Sequence, residues 1–275
     1  MNLDIVKHKW LRQPYILHAT ASKRVKKPRA SVLFIHGIGT SSDVWDKITA
    51  KLPPNINIVT VDLLGFGLSP RPQWAVYDAK LQARSIVATY RRLCRQGPVI
   101  IVGHSLGALV AVEIAKLYPR LVRSLVLCSA PFYAVNAKTP TVAASQKVLT
   151  SLYGAIQSHP DQFVKISRIA AKYNIINRAF TVDENNVHAY MSALEASIVN
   201  QTAYDDIRQL TMPIVLTYGT LDAVVVTKNL KNLAKTMPNA SIKSVVAAHE
   251  IRGPYISVVA NQINTMITPP GTTTQ

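Results

Sequence analysis

Apolar residues in this chain form two kinds of stretch that alternate along most of its length. Short unbroken runs rich in Val and Ile predict strands at Tyr15–Ala19, Val32–His36, Ile56–Val61, Val99–Val102, Ser124–Cys128, Ile214–Tyr218 and Ile242–Val246. Several show no polar alternation, the pattern of strands covered on both faces of a parallel sheet. Between them, apolar positions recur at three- and four-residue steps. That spacing predicts helices over Val44–Leu52, Ala79–Cys94, Leu106–Tyr118, Val225–Met237 and Tyr255–Met266. Asp78 is placed to cap the second helix and Pro119 to stop the third. Strand–helix alternation of this kind specifies an α/β fold with a doubly wound, mostly parallel sheet.

The rhythm fails between Pro131 and Gln209. Helical patterns near Val142–Gln157, Asp161–Lys172 and Glu184–Val199 follow one another without a convincing strand. Eight aromatic residues lie between Phe132 and Tyr204, more than a solvated loop needs. The expected organisation is a core of residues 1–130 and 210–275, with residues 131–209 inserted as a helical cap, or lid. The tail, TPPGTTTQ, has nothing apolar to bury.

Composition sharpens this picture. The chain has 275 residues, 48% hydrophobic and 16% charged, so it is too apolar for a disordered chain and long enough to bury a full core. Its two cysteines, Cys94 and Cys128, have no C-x-x-C spacing, which excludes a disulfide-stapled scaffold and leaves ordinary buried thiols. The apolar stretch from Gln96 to Val112 is interrupted by Gly-His-Ser and runs into Glu113 and Lys116. It therefore reads as a strand and a helix, not a transmembrane segment. MNLDIVKHKWLRQPY has no apolar run resembling a signal peptide, so a cytoplasmic protein is expected.

Charge is the most unusual global feature. Lys and Arg total 31 against 14 acids, a formal charge of +17. The excess is spread out, apart from Lys23, Arg24, Lys26, Lys27 and Arg29 in an expected exposed turn; between Arg178 and Arg208 the balance is reversed. No zinc-finger spacing, RNA-binding aromatic signature or basic heptad accompanies it, so no specific nucleic-acid partner is expected. Such a surface leaves room for weak adsorption to anionic surfaces.

Candidate chemistry centres on Gly103-His104-Ser105-Leu106-Gly107, a G-x-S-x-G motif. An apolar strand enters it and an uninterrupted helix leaves it, the setting in which a sharp turn exposes a nucleophilic serine. Glycines two residues either side remove Cβ atoms that would collide at such a turn. The turn places the Ser105 hydroxyl at the sheet's carboxyl edge, beside a helix N-terminus that favours developing negative charge. His104 reads as a packed structural histidine directed away from the nucleophile.

On these residues the chain resembles the α/β-hydrolase superfamily, in its branch with a helical cap, from about Val32 to Ile267. The resemblance implies a catalytic order of serine, acid, histidine. His249, after the last strand, then falls in the place of the base, although Ala248 stands where the family usually has glycine. Asp222, after the strand and Gly turn ending at Gly219, falls in the place of the acid; Asp205 and Asp206 precede that strand. Backbone N–H groups of Leu106 and, by similarity to the family's His-Gly-x motif, Ile38 in His36-Gly37-Ile38-Gly39-Thr40 would form an oxyanion hole. His36 and Asp62, the latter opening Asp62-Leu-Leu-Gly-Phe-Gly-Leu-Ser69, are expected to brace loops.

No phosphate-binding loop, dinucleotide fingerprint or metal-ligand spacing is present, so neither cofactor nor metal is expected. The expected function is hydrolysis of a small-molecule carboxylic ester by Ser105, His249 and Asp222 through an acyl-enzyme. Two other functions share the fold. A C–C bond hydrolase of the ring-cleavage-product type would meet anionic substrates with Arg168, Lys172 or Arg178 in the cap. A ligand receptor would bind beneath the lid without turnover.

Overall fold

A computed structural model describes residues 3–21, 25, 28–94, 97–133, 151, 154, 156, 158–172 and 182–268. Its strands are β1 (Ala19–Ala21), β2 (Ser31–Ile35), β3 (Asn57–Val61), β4 (Val99–His104), β5 (Val122–Cys128), β6 (Ile214–Gly219) and β7 (Ala240–Val245). They form one sheet in the order β1-β3-β2-β4-β5-β6-β7. Only the β1–β3 pair is antiparallel.

The central strands are apolar at every position because each face of the sheet has its own core. Leu33, Ile35, Ile101, Leu125 and Leu127 face one cluster, shared with helices α2 (Ala79–Leu93) and α3 (Leu106–Leu117). Their neighbours Val32, Phe34, Ile100, Val102 and Val126 face the other, with Trp45 and Ile48, and Tyr255 and Val259 from a helix at Pro254–Ile267. Side chains alternate along a strand, so burial of both faces removes the polar positions that a half-exposed strand would show.

Local signals act as expected at helix ends. The Asp78 side chain accepts from Leu81 N–H at 2.7 Å and caps α2, while α3 ends two residues before Pro119. The first strand differs from its expectation. Only Ala19–Ala21 pair with β3, and Tyr15–His18 lie outside the ladder. Leu17 N–H donates to Thr89 Oγ1 and His18 N–H to Ser69 Oγ, so side chains satisfy these donors instead. The helix expected at Val44–Leu52 divides into a tighter 3-10 turn, Ser42–Trp45, and a short helix α1, Asp46–Thr49. An unexpected wide helical turn spans Ile5–Trp10.

Between β5 and β6, the described residues from 151 onward contain no strand. Helices run over Pro160–Lys172 and over Val187–Ala193, the second continuing as a wider turn at Leu194–Val199. Most of the expected helix at Val142–Gln157 lies outside the described residues, as do Lys23, Arg24, Lys26 and Lys27 of the basic turn. Among the described residues no helix is long and apolar enough to cross a membrane.

Candidate active site

β4 ends at His104 and α3 begins at Leu106, leaving Ser105 alone to turn the chain. It does so at φ 52° and ψ −119°, a conformation disfavoured for residues with a Cβ. Close packing holds it there. A Cβ on Gly103 would collide with the Gly107 backbone, and one on Gly107 with the Ile35 carbonyl, so the strand and helix meet without side chains between them. Ser105 N–H donates to the Cys128 carbonyl at 2.9 Å, tying the turn to the end of β5.

Loops from three distant parts of the chain converge here. His249, after β7, has Nε2 3.0 Å from Ser105 Oγ and Nδ1 2.8 Å from Asp222 Oδ2. A carboxylate only accepts, so His249 donates from Nδ1–H and leaves the Nε2 lone pair for the serine hydroxyl. Asp222 follows β6, and its other oxygen accepts from Val224 N–H at 2.9 Å and Val225 N–H at 3.2 Å. Burial would push the Asp222 carboxyl up. The His249 bond and charge, with the Val224 N–H, outweigh burial and hold it below the ordinary carboxylate value.

Ile38 lines the same cavity as Ser105. Leu106 opens α3, where the first N–H groups of a helix lack intrahelical partners. His36 lies behind the Ile38 loop: its Nδ1–H donates to the Gly37 carbonyl at 2.7 Å, and its Nε2 accepts from Leu63 N–H at 2.9 Å. That pairing uses both ring nitrogens of a neutral imidazole, and burial lowers its pKa. Asp62 accepts from Ser42 N–H at 2.8 Å and Leu68 N–H at 2.9 Å. Both residues brace loops, and neither lines the cavity of Ser105.

His104 corrects the sequence reading. Its ring is not directed away from the site but lines the cavity, with its centroid 5.1 Å from that of His249. Nε2–H donates to the His249 carbonyl at 2.9 Å. Burial, reinforced by the neighbouring His249, lowers its pKa to about 3, so it stays neutral. The only sequence signal was adjacency to Ser105, which does not fix the direction of the ring.

The cavity measures about 180 Å³ and its walls are largely apolar, with Ile38, Leu194, Ile198 and Val224 among them. Tyr190, Leu194 and Ile198 reach it from the helical segment between β5 and β6. Among the described residues, Glu250 is the one acid lining it, and no Lys or Arg does so. Arg168 is exposed and pairs with Glu184 at 3.5 Å, Lys172 is exposed, and Arg178 lies outside the described residues. Among the described residues no group of three His, Cys, Asp or Glu side chains is gathered to hold a metal ion.

Comparison with known proteins places this geometry in context. The family model described as serine aminopeptidase, S33, matches residues 26–252. A pimeloyl-[acyl-carrier protein] methyl ester esterase of Aeromonas salmonicida is 27% identical over 237 residues, covering 82% of this chain and 89% of that protein. A 2-(acetamidomethylene)succinate hydrolase of Mesorhizobium japonicum is 27% identical over 251 residues, covering 89% and 88%. Among solved structures, the enol-lactonase of Burkholderia xenovorans superposes with a TM-score of 0.68 at 17% identity, covering 92% of this chain and 96% of that one.

Proposed function

Because the chain belongs to the serine aminopeptidase S33 family of α/β-hydrolases, and is an enzyme of that class, we propose that it cleaves a small carboxylic ester through an acyl-enzyme. The observation that carries this reading is the unbroken relay from Ser105 Oγ through His249 to the buried Asp222 carboxylate, with steps of 3.0 and 2.8 Å. A serine hydroxyl is a weak nucleophile at neutral pH and needs such a base. Ser105 attacks the acyl carbon as His249 Nε2 takes its proton. The oxyanion is met by Leu106 N–H and Ile38 N–H. His249 returns the proton to the departing alkoxide, and a water, deprotonated by the same nitrogen, releases the acid and regenerates Ser105. Asp222 holds the imidazole in the required tautomer and balances the imidazolium.

Residues 131–209 act in this scheme as a cap roofing the acyl site, supported by Pro131, Tyr190, Leu194 and Ile198, which line the cavity. At about 180 Å³ the space suits a small substrate. Among the described lining residues Glu250 is the only carboxylate and none is Lys or Arg, which favours a neutral ester over an anionic substrate.

The test is labelling with a fluorophosphonate, run beside a panel of aryl esters of varied acyl length and their arylamide counterparts. Labelling and ester turnover, both abolished by Ser105→Ala in a folded protein, are the expected result. Labelling that survives in Ser105→Ala, or labelling without turnover of any ester, would overturn the proposal.

A further inference from the structure

We propose that the turn at Ile5–Trp10 and its flanks form a docking face for an anionic lipid surface, a property independent of the ester-hydrolase reading. The segment is held firmly against the protein body. The Asp4 carboxylate accepts from Trp74 Nε1–H at 2.7 Å and from the Tyr15 hydroxyl at 3.0 Å. The His8 ring stacks on Tyr15 with centroids 3.7 Å apart, and the Tyr15 ring is itself buried in the core. These anchors fix which side faces out.

The outward side is unusually apolar. Leu3 is 82% exposed, Trp10 62%, Leu11 63% and Ile16 43%. Isolated exposed leucines are ordinary, but four large exposed apolar residues within fourteen positions of a clamped segment are a liability unless something covers them. Exposed basic side chains are interspersed with them at Lys7, Lys9 and Arg12. The one acid of the segment, Asp4, is partly exposed and accepts from Tyr15 and Trp74, against three exposed bases.

This composition identifies the occupant by its chemistry. Indole rings partition to the headgroup level of a bilayer, leucines reach the acyl boundary, and Lys and Arg extend their charges to lipid phosphates. A formal charge of +17 on the whole chain draws it toward anionic lipid, and the same charge repels a second copy of the chain from this face.

The experiment is co-flotation of the full chain with vesicles of phosphatidylcholine alone or with about one-third phosphatidylglycerol, read together with tryptophan emission. Trp45 is fully buried and Trp74 is clamped by Asp4, so Trp10 is the indole placed to report insertion. We expect binding at least about ten-fold tighter to the anionic vesicles, a blue shift on binding, and loss of binding in added salt. Trp10→Ser with Leu11→Ser should remove the blue shift and most of the binding. Lys7→Gln, Lys9→Gln and Arg12→Gln together should remove the preference for anionic lipid. Turnover of a water-soluble ester, where present, should be unchanged in both variants, which separates this test from that of the active site. Equal binding to both vesicles, anionic binding retained in the Trp10/Leu11 variant, or a dimer formed through this face without lipid would overturn the proposal.

Discussion

Two carboxylate–imidazole pairs show how burial and partners assign different work to similar residues. Asp222 and Asp62 are both buried and both held below the ordinary carboxylate value, and each meets an imidazole, His249 Nδ1 at 2.8 Å and His18 Nδ1 at 3.0 Å, but only His249 reaches on to the Ser105 hydroxyl. Burial would raise the Asp62 carboxyl; the Leu68 and Ser42 N–H groups bring it down. Asp222→Asn should therefore cut turnover by as much as ~10⁴-fold, by analogy with serine proteases, because an amide favours the wrong imidazole tautomer. Asp62→Asn should keep most turnover per folded molecule while losing charge-assisted bonds worth about 1.5–3 kcal/mol. Turnover and melting measured on both variants decide between these roles; a folded but inactive Asp62→Asn beside an active Asp222→Asn would exchange them.

His104 makes a second residue-scale prediction. Its pKa is about 3 in the fold against an ordinary value of 6.5, so between these values the unfolded chain holds the extra proton. Stability should be complete above about pH 6.5 and fall as pH drops, by about 1.4 kcal/mol per pH unit for such a group. His36, also lowered by burial, adds to the same slope. The depressed carboxylates Asp222 and Asp62 contribute only at lower pH, below the ordinary value of 3.8. Denaturant titrations from neutral pH to about pH 5 should show a shallower acid loss in His104→Phe. An unchanged slope would mean that His104 takes up its proton alike in the fold and in the unfolded chain.

At the scale of elements, the sheet supplies the rigid edge and the segment between β5 and β6 supplies the wall. Leu194 sits where Val187–Ala193 passes into the wider turn, buried and lining the cavity. Leu194→Ala should enlarge the acyl space and raise the ratio of kcat/KM for a longer over a shorter acyl ester by about ten-fold, the scale of a methylene's worth of apolar contact. The variant also loses stability, by about 2–5 kcal/mol for a buried leucine, but a ratio taken on one preparation is insensitive to the folded fraction. An unchanged ratio would place the acyl chain elsewhere.

For the whole molecule, the formal charge of +17 is a self-repulsion that folding must overcome. Ion pairs offset it locally among the described residues: Lys116 bridges Glu113 and Asp206, Arg168 meets Glu184 and Arg252 meets Glu250. Raising ionic strength from about 0.01 to about 0.15 M shortens the screening length from about 30 to about 8 Å. The melting temperature should rise by a few degrees over that range and then level off. A fall would show that attractive pairs outweigh repulsion at the surface.

Much of the fold was legible in the sequence because its signals are local. Period-two burial on both sheet faces leaves uninterrupted apolar runs, helical periodicity marks the flanking layers, and Asp78 and Pro119 punctuate the helix ends. The turn at Ser105 belongs with these in part, since Gly103 is demanded by the nearby Gly107 backbone, whereas Gly107 is demanded by the Ile35 carbonyl of another strand. What lies far apart in the chain was decided only by tertiary structure. Whether Tyr15–His18 pairs as strand depends on Thr89 and Ser69, which take its N–H groups. The direction of His104 depends on a carbonyl 145 residues away. The outward side of Ile5–Trp10 depends on Trp74, 70 residues from Asp4. Periodicity reports the average burial of an element; a loop side chain takes its direction from hydrogen-bond partners that folding brings to it, and no local pattern encodes those.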